Sequence, residues 1–192
     1  NHKIAGAKII LRKIDSIVLK KPGEAKPEAK KEEKPKPTGP ASLDLRVAVV
    51  KEINDHPQAD KLYVLKIDLG TEQRQLCAGL KPHYPREELL GKHLVVVTNL
   101  KPAKLRGELS QGMLLAADSG AVVGVLNAPD SPAGTQVTAD GVSGKGAPQI
   151  EIGDIAALTL EAKAGKAYVN GKLLSAGAEV VKVDRGVEGR IR

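Results

Sequence analysis

The sequence contains no phenylalanine and no tryptophan, and its aromatic complement is three tyrosines. Stacked aromatic platforms of the kind that hold single-stranded nucleic acid are therefore excluded except at Tyr63, Tyr84 or Tyr168, so contact with a polyanion must rest on charge, amides and shape. Cys77 is the only cysteine, which rules out an intrachain disulfide and a cysteine-based zinc site and fits a reducing cytoplasm. No apolar run reaches the roughly eighteen residues of a membrane helix. The first apolar stretch, IAGAKIILRKI, is broken by Lys8, Arg12 and Lys13, so neither a span nor a signal peptide is expected. Catalytic patterns are missing as well. His2, His56, His83 and His93 form no i, i+4 pair and no HExxH, and no serine sits in a GxSxG elbow. GVSGKGA has the flavour of a phosphate loop but carries Gly146 where Ser or Thr would bind magnesium. His56 lies near Asp55 and Asp60 in NDHPQADK, where turn formation is the simpler reading. The chain is thus expected to be non-catalytic, with no catalytic residue, metal site or cofactor.

What is present is enough apolar material in 192 residues for a sizeable core, and a charge of +7 that is unevenly placed. Residues 1–40 hold 11 Lys/Arg against 5 Asp/Glu, residues 41–119 hold 11 against 10, and residues 120–192 hold 8 against 8. Most of the excess lies in the tail, so the high isoelectric point does not by itself make the rest a nucleic-acid binder. The segment KKPGEAKPEAKKEEKPKPTGP has alternating charge, repeated proline and almost nothing to bury, and reads as a disordered linker over 20–42. Residues 1–19 read as the end of an upstream domain or a tether. Asn1 in the first position suggests a piece of a longer protein.

From Leu43 the pattern changes to short runs of branched residues with turn punctuation: LRVAVVKEI, LYVLKIDLG, RQLCAG, HLVVVT and GMLLAA. Between the third and fourth runs, PREELLGK predicts a short helix with Pro85 opening it and Gly91 ending it. Three strands, a helix and two strands is the order of an OB-fold, a five-stranded Greek-key barrel, placed at 43–119. A β-rich C-terminal section at 120–192 contains VVGVL, IAALTLEAKAGKAYVNGKLL and AEVVKV, with Asn170 and Gly171 as a two-residue hairpin turn. The expected fold class is all-β.

The stretch NLKPAKLRGELSQGM, residues 99–113, joins two strand-like runs and is far longer than a hairpin loop of about two to five residues. Asn99 offers an amide, Lys101, Lys104 and Arg106 offer cations, and Ser110 and Gln111 offer further donors. Such groups suit phosphate oxygens, sugars and base edges, and the loops of this barrel recurrently bind nucleic acid. Met113, the sole methionine, suits either core packing or ligand contact. The missing aromatics predict weak sequence discrimination.

These residues resemble a known family. LDLRVAVVKEINDHPQADKLYVLKIDLG, CAGL and NLKPAKLRGELSQGMLLAA look like the tRNA-binding domain shared by the endothelial monocyte-activating polypeptide and by appendages of methionyl- and tyrosyl-tRNA synthetases. The resemblance implies an OB-fold and a largely sequence-independent grip on tRNA through Asn99, Lys101, Lys104, Arg106, Ser110 and Met113, with Arg74 and Lys51 as neighbours. VVGVLNAPDSPAGTQV and KLLSAGAEVVKVDRGVEGRIR look like the extension of longer members, which covers the surface that shorter members use to dimerise, and this implies a monomer. IILRKIDSIV looks like the end of a methionyl-tRNA synthetase body. The resemblance implies a cytoplasmic module that raises tRNA affinity beside an aminoacyl-tRNA synthetase catalytic domain, in cis or in trans. The alternative is a peptide-binding chaperone or assembly module on the same barrel, which would dimerise and expose an apolar groove.

Overall fold

The computed structural model describes residues 39–192, which fall within one compact unit. The upstream piece expected at 1–19 and the linker before Gly39 lie outside the described residues. The last residues of that linker segment, Pro40–Ser42, form a 3-10 turn in which the Ser42 hydroxyl donates to the Gly39 carbonyl (2.6 Å).

The expected all-β class is what the chain adopts. The five runs of the barrel become β1 (Leu45–Asp55), β2 (Tyr63–Asp68), β3 (Gln73–Ala78), β4 (His93–Val97) and the pair β7 (Met113–Leu114) and β8 (Ala116–Asp118). The short helix α1 spans Arg86–Leu89, with Pro85 one position earlier than expected, as its extended N-cap. The long connection holds an unanticipated hairpin, β5 (Ala103–Leu105) and β6 (Glu108–Ser110). Then follow β9 (Val123–Asn127), β10 (Gln136–Ala139), α2 (Ile152–Ala156), β11 (Leu160–Lys163), β12 (Lys166–Val169), β13 (Lys172–Ala176), β14 (Glu179–Val180), β15 (Lys182–Val183) and β16 (Gly189–Ile191). The start of IAALT, expected in a β run, belongs instead to α2. A capping box between Glu151 and Asp154 nucleates that turn, the Glu151 N–H donating to the Asp154 carboxylate (2.9 Å). The Asn170–Gly171 hairpin forms as its residues require, with both φ angles positive (49° and 76°) and Val169 opposite Lys172.

One strand order explains why several runs are apolar without alternation. The antiparallel path β3-β2-β1-β4-β7 walls the first barrel, and β1-β10-β13-β12-β11-β16-β8-β9-β4 returns to β4 and encloses a second. β1 serves both because it is 11 residues long, pairing β4 through 45–49 and β2 through 49–55 across an irregularity between Val50 and Glu52. Side chains alternate along a strand, so strands common to both barrels feed two cores. Leu94, Val96 and Leu114 enter the first core, whereas Val95, Val97 and Leu115 enter the second. A strand buried on both faces must be apolar throughout, which is why HLVVV reads as it does. The extension is therefore part of one continuous sheet.

A polar latch fastens the two barrels. The turn Asp184–Gly186 lies so close to β9 that a Cβ on Gly124 would stand 2.2 Å from the Asp184 carbonyl oxygen, and only glycine fits. The Arg185 guanidinium stacks 3.9 Å above the Tyr84 ring, bonds the Glu88 carboxylate (2.8 Å) and donates to the His83 carbonyl (2.8 Å). Tyr84 hydroxyl accepts from the Val125 N–H (3.1 Å) and donates to Asp184 (3.3 Å), which also pairs with Lys92. Burial pushes the Tyr84 phenol up to about 12. Burial also raises the Asp184 carboxyl, but Lys92, the Arg185 N–H and the Tyr84 hydroxyl outweigh it and leave the pKa below the usual carboxylate value.

Candidate nucleic-acid interface

The β5–β6 hairpin answers the question posed by the long connection. Ala103 pairs with Ser110, Lys104 with Leu109 and Leu105 with Glu108, leaving Arg106–Gly107 as a two-residue turn with φ of 47° and 99°. Two positive φ angles are the signature of a hairpin turn whose twist matches its strands. Arginine rarely adopts that region, so RG is a weaker turn signal than Asn-Gly.

A hairpin of six paired residues with no core of its own must be held by its neighbours. Buried His56 receives the Gln58 N–H at Nδ1 (3.1 Å), so its Nε2 carries the proton and donates to the Leu105 carbonyl (2.8 Å). Gln75 on β3 donates to Glu108 and to the Leu109 carbonyl (3.0 Å each), and its own carbonyl accepts the Gln111 N–H (2.8 Å). His56 and Gln75 are the positioning residues that sequence reasoning missed as such; NDHPQADK carried a signal only for a turn.

The predicted site residues separate into two groups. Asn99, Arg74 and Ser110 are committed to the scaffold. The Asn99 amide accepts from the Asp44 N–H (3.0 Å) and donates to the Ser42 (2.8 Å) and Pro148 (3.0 Å) carbonyls. Arg74 joins the two feet of the excursion, donating to the carbonyls of Thr98 (2.5 Å) and Gln111 (3.3 Å) while Glu72 holds its other edge (2.6 Å). The buried Ser110 hydroxyl accepts the Cys77 N–H (3.1 Å) and donates to the Gly112 carbonyl (3.0 Å). Lys101, Lys104 and Arg106 point outward and are exposed, with Lys101 loosely paired to Glu151 (3.5 Å) and Arg106 donating to the Gln58 carbonyl (3.3 Å). Lys51 stands on the β1–β2 ladder beside Asp68 (3.6 Å) rather than at the hairpin.

Between the hairpin, the end of the first barrel and the extension lies a groove of about 870 Å³. Its floor includes Leu80, Leu100, Met113 and Leu114, and its rim includes Lys101, Glu151, Asp118 and Arg192. Half-buried Met113 packs against the second core and lines the groove. Cys77 also lines it, but burial, aided by the Glu108 charge, pushes its thiol up, away from the reactive thiolate. Among the described residues no group of three or more His, Cys, Asp or Glu side chains is arranged to hold a metal ion, and no helix is long and apolar enough to cross a membrane.

The geometry has a counterpart in known proteins. A family model described as "Putative tRNA binding domain" matches residues 45–136. Methionine–tRNA ligase of Thermococcus kodakarensis is 63% identical over 86 residues, covering 45% of this chain and 12% of that protein. The corresponding enzyme of Pyrococcus horikoshii is 52% identical over 120 residues, covering 62% of this chain and 16% of that protein. The chain thus spans a small part of these curated relatives. Among solved structures, the C-terminal domain of Plasmodium vivax p43 matches with a TM-score of 0.74 at 27% identity, covering 81% of this chain and 99% of that chain. That coverage reaches beyond the family segment into the extension.

Proposed function

Residues 45–136 belong to the tRNA-binding domain family, and from that premise we propose that the chain is a non-catalytic module that grips tRNA with the β5–β6 hairpin and the adjoining groove. The observation that carries this reading is the outward placement of Lys104 and Arg106 on the hairpin and of Lys101 at its foot, while His56, Arg74 and Gln75 hold the hairpin and its feet by their backbone carbonyls. Three ammonium and guanidinium groups on and beside a β-ribbon meet phosphates without reading bases, and the feet at Arg74 and Asn99 keep them in place. The module works in the cytoplasm in cis with a methionyl-tRNA synthetase catalytic region, and a tether converts the second contact into a gain in effective concentration. It is a monomer, since the extension pairs with the edges of β4 and β8 and buries Val95, Val97 and Ala117 in the second core, surfaces that would otherwise seek a partner. The apolar floor of the groove favours a second reading, a peptide-binding module.

A tRNA gel-shift titration tests the first reading, with unfolded peptide as competitor. Binding should weaken strongly in Lys101→Glu/Arg106→Glu with the melt unchanged, and the hairpin and groove should contribute about −3 to −4 to the slope of log affinity against log salt if they neutralise roughly four phosphates. Unaltered affinity in the charge-reversal variant would sink the hairpin as the site, and displacement of tRNA by peptide would favour the second reading.

A further inference from the structure

The outer face of the second barrel carries a set of lysines that folding does not account for. Lys163 of β11 stands directly opposite Lys166 of β12, and Lys166 stands directly opposite Lys182 of β15. Opposed residues of antiparallel strands project to the same face, so three ammonium groups lie side by side across three neighbouring strands. Their chain neighbours Ala162, Ala167 and Val183 are buried in the second core, which turns all three lysines to water. Like charges directly opposite each other destabilise a sheet. Glu161 relieves Lys163 alone, and among the described residues no ion pair joins Lys166 or Lys182 to an acid. Nor do the lysines guard an open edge: β12 pairs with β11, β13 and β15, and β15 pairs with β12 and β9.

The row is continuous with the groove. Tyr168 opposes Glu161, Glu161 opposes Arg190, and Arg190 opposes Asp118, which lines the groove with Arg192. These partners share the outer face with the lysines, because Lys166 and Tyr168, like Glu161 and Lys163, are two residues apart on one strand. A polyanion that follows the hairpin into the groove therefore meets Arg190 beyond Asp118 and, past Glu161, which Lys163 pairs, the lysine row. We propose that Lys163, Lys166 and Lys182, with Arg190, form a second phosphate-contacting surface for the same RNA, carried by the extension outside residues 45–136. It rests on the tRNA-binding reading above. Ammonium groups on flexible stems act as point charges, so this surface adds affinity and salt dependence without adding sequence preference.

The test compares Lys163→Gln/Lys166→Gln/Lys182→Gln with wild type and with Lys101→Glu/Arg106→Glu in tRNA titrations over a salt series. The triple variant should bind about tenfold more weakly near 0.1 M salt, with a log–log slope shallower by about 2 to 3, each neutralised phosphate contributing roughly 0.9. Its melting temperature should hold or rise, because the opposed charges are gone. A triple arginine variant keeps the charge and should bind like wild type, which separates loss of charge from damage to the fold. Unaltered affinity and slope, in a triple variant beside a charge-reversal variant that has lost binding, overturns the lysine row and leaves the hairpin reading standing. If neither variant loses affinity, both fail. Lower melting temperature with unaltered affinity assigns the lysines to stability and also overturns the proposal.

Discussion

β4 and β5 are near neighbours in the chain, yet four of the five residues of β4 are buried and all three of β5 are exposed. β4 pairs with β1, β7 and β9 and has a core on each side, whereas among the described residues β5 pairs only with β6. The wall is held by apolar burial, and the hairpin by hydrogen bonds from His56, Gln75 and Arg74 to backbone carbonyls. Tolerance to substitution follows from this contrast. A cation at the hairpin touches water and can be altered without disturbing packing, whereas the wall depends on both barrels being present.

The largest effect should come from ending the chain after Gly120. That removes β9 to β16 and uncovers Val95, Val97 and Leu115, so light scattering should show aggregates or dimers and the melt should lose its cooperativity. A well-folded monomer would break the comparison, since the wall would then be stable with one core. Next, Leu115→Ala, at a fully buried position, should cost about 2 to 5 kcal/mol in urea unfolding, while Lys104→Ala should stay within about 0.5 kcal/mol. Similar losses at the two positions would erase the distinction between wall and hairpin. The smallest effect concerns the latch. The Tyr84 phenol is raised to about 12 in the folded state, so above about pH 10 the unfolded chain releases that proton first and stability falls as pH rises toward 12. Ultraviolet titration should show a tyrosinate step near pH 12 that Tyr84→Phe removes. A Tyr84 step near pH 10 would mean that the phenol is not enclosed by the latch.

Much of this was legible because it is local. The β runs, the α1 segment, the Asn170–Gly171 turn and the cations of 99–113 depend on residues close in the chain, where side-chain period and backbone preference act directly. The RG turn at the tip of the hairpin was harder to read, since Arg106 holds a conformation that its side chain does not favour.

By itself the sequence determined the β runs, the separation of apolar from cationic segments, and the exclusion of aromatic stacking at all but three positions. Only the tertiary structure decided which polar groups remained free to meet a ligand. Asn99 and Arg74 look as suited to RNA as Lys101 does, but their partners Ser42 and Thr98 lie 57 and 24 residues away and claim their hydrogen bonds. In the same way Lys182 is separated in the chain from the hairpin neighbours Lys163 and Lys166 but adjacent to Lys166 on the sheet. Strand register sets these neighbours, and register follows from which face of each strand the two cores can bury.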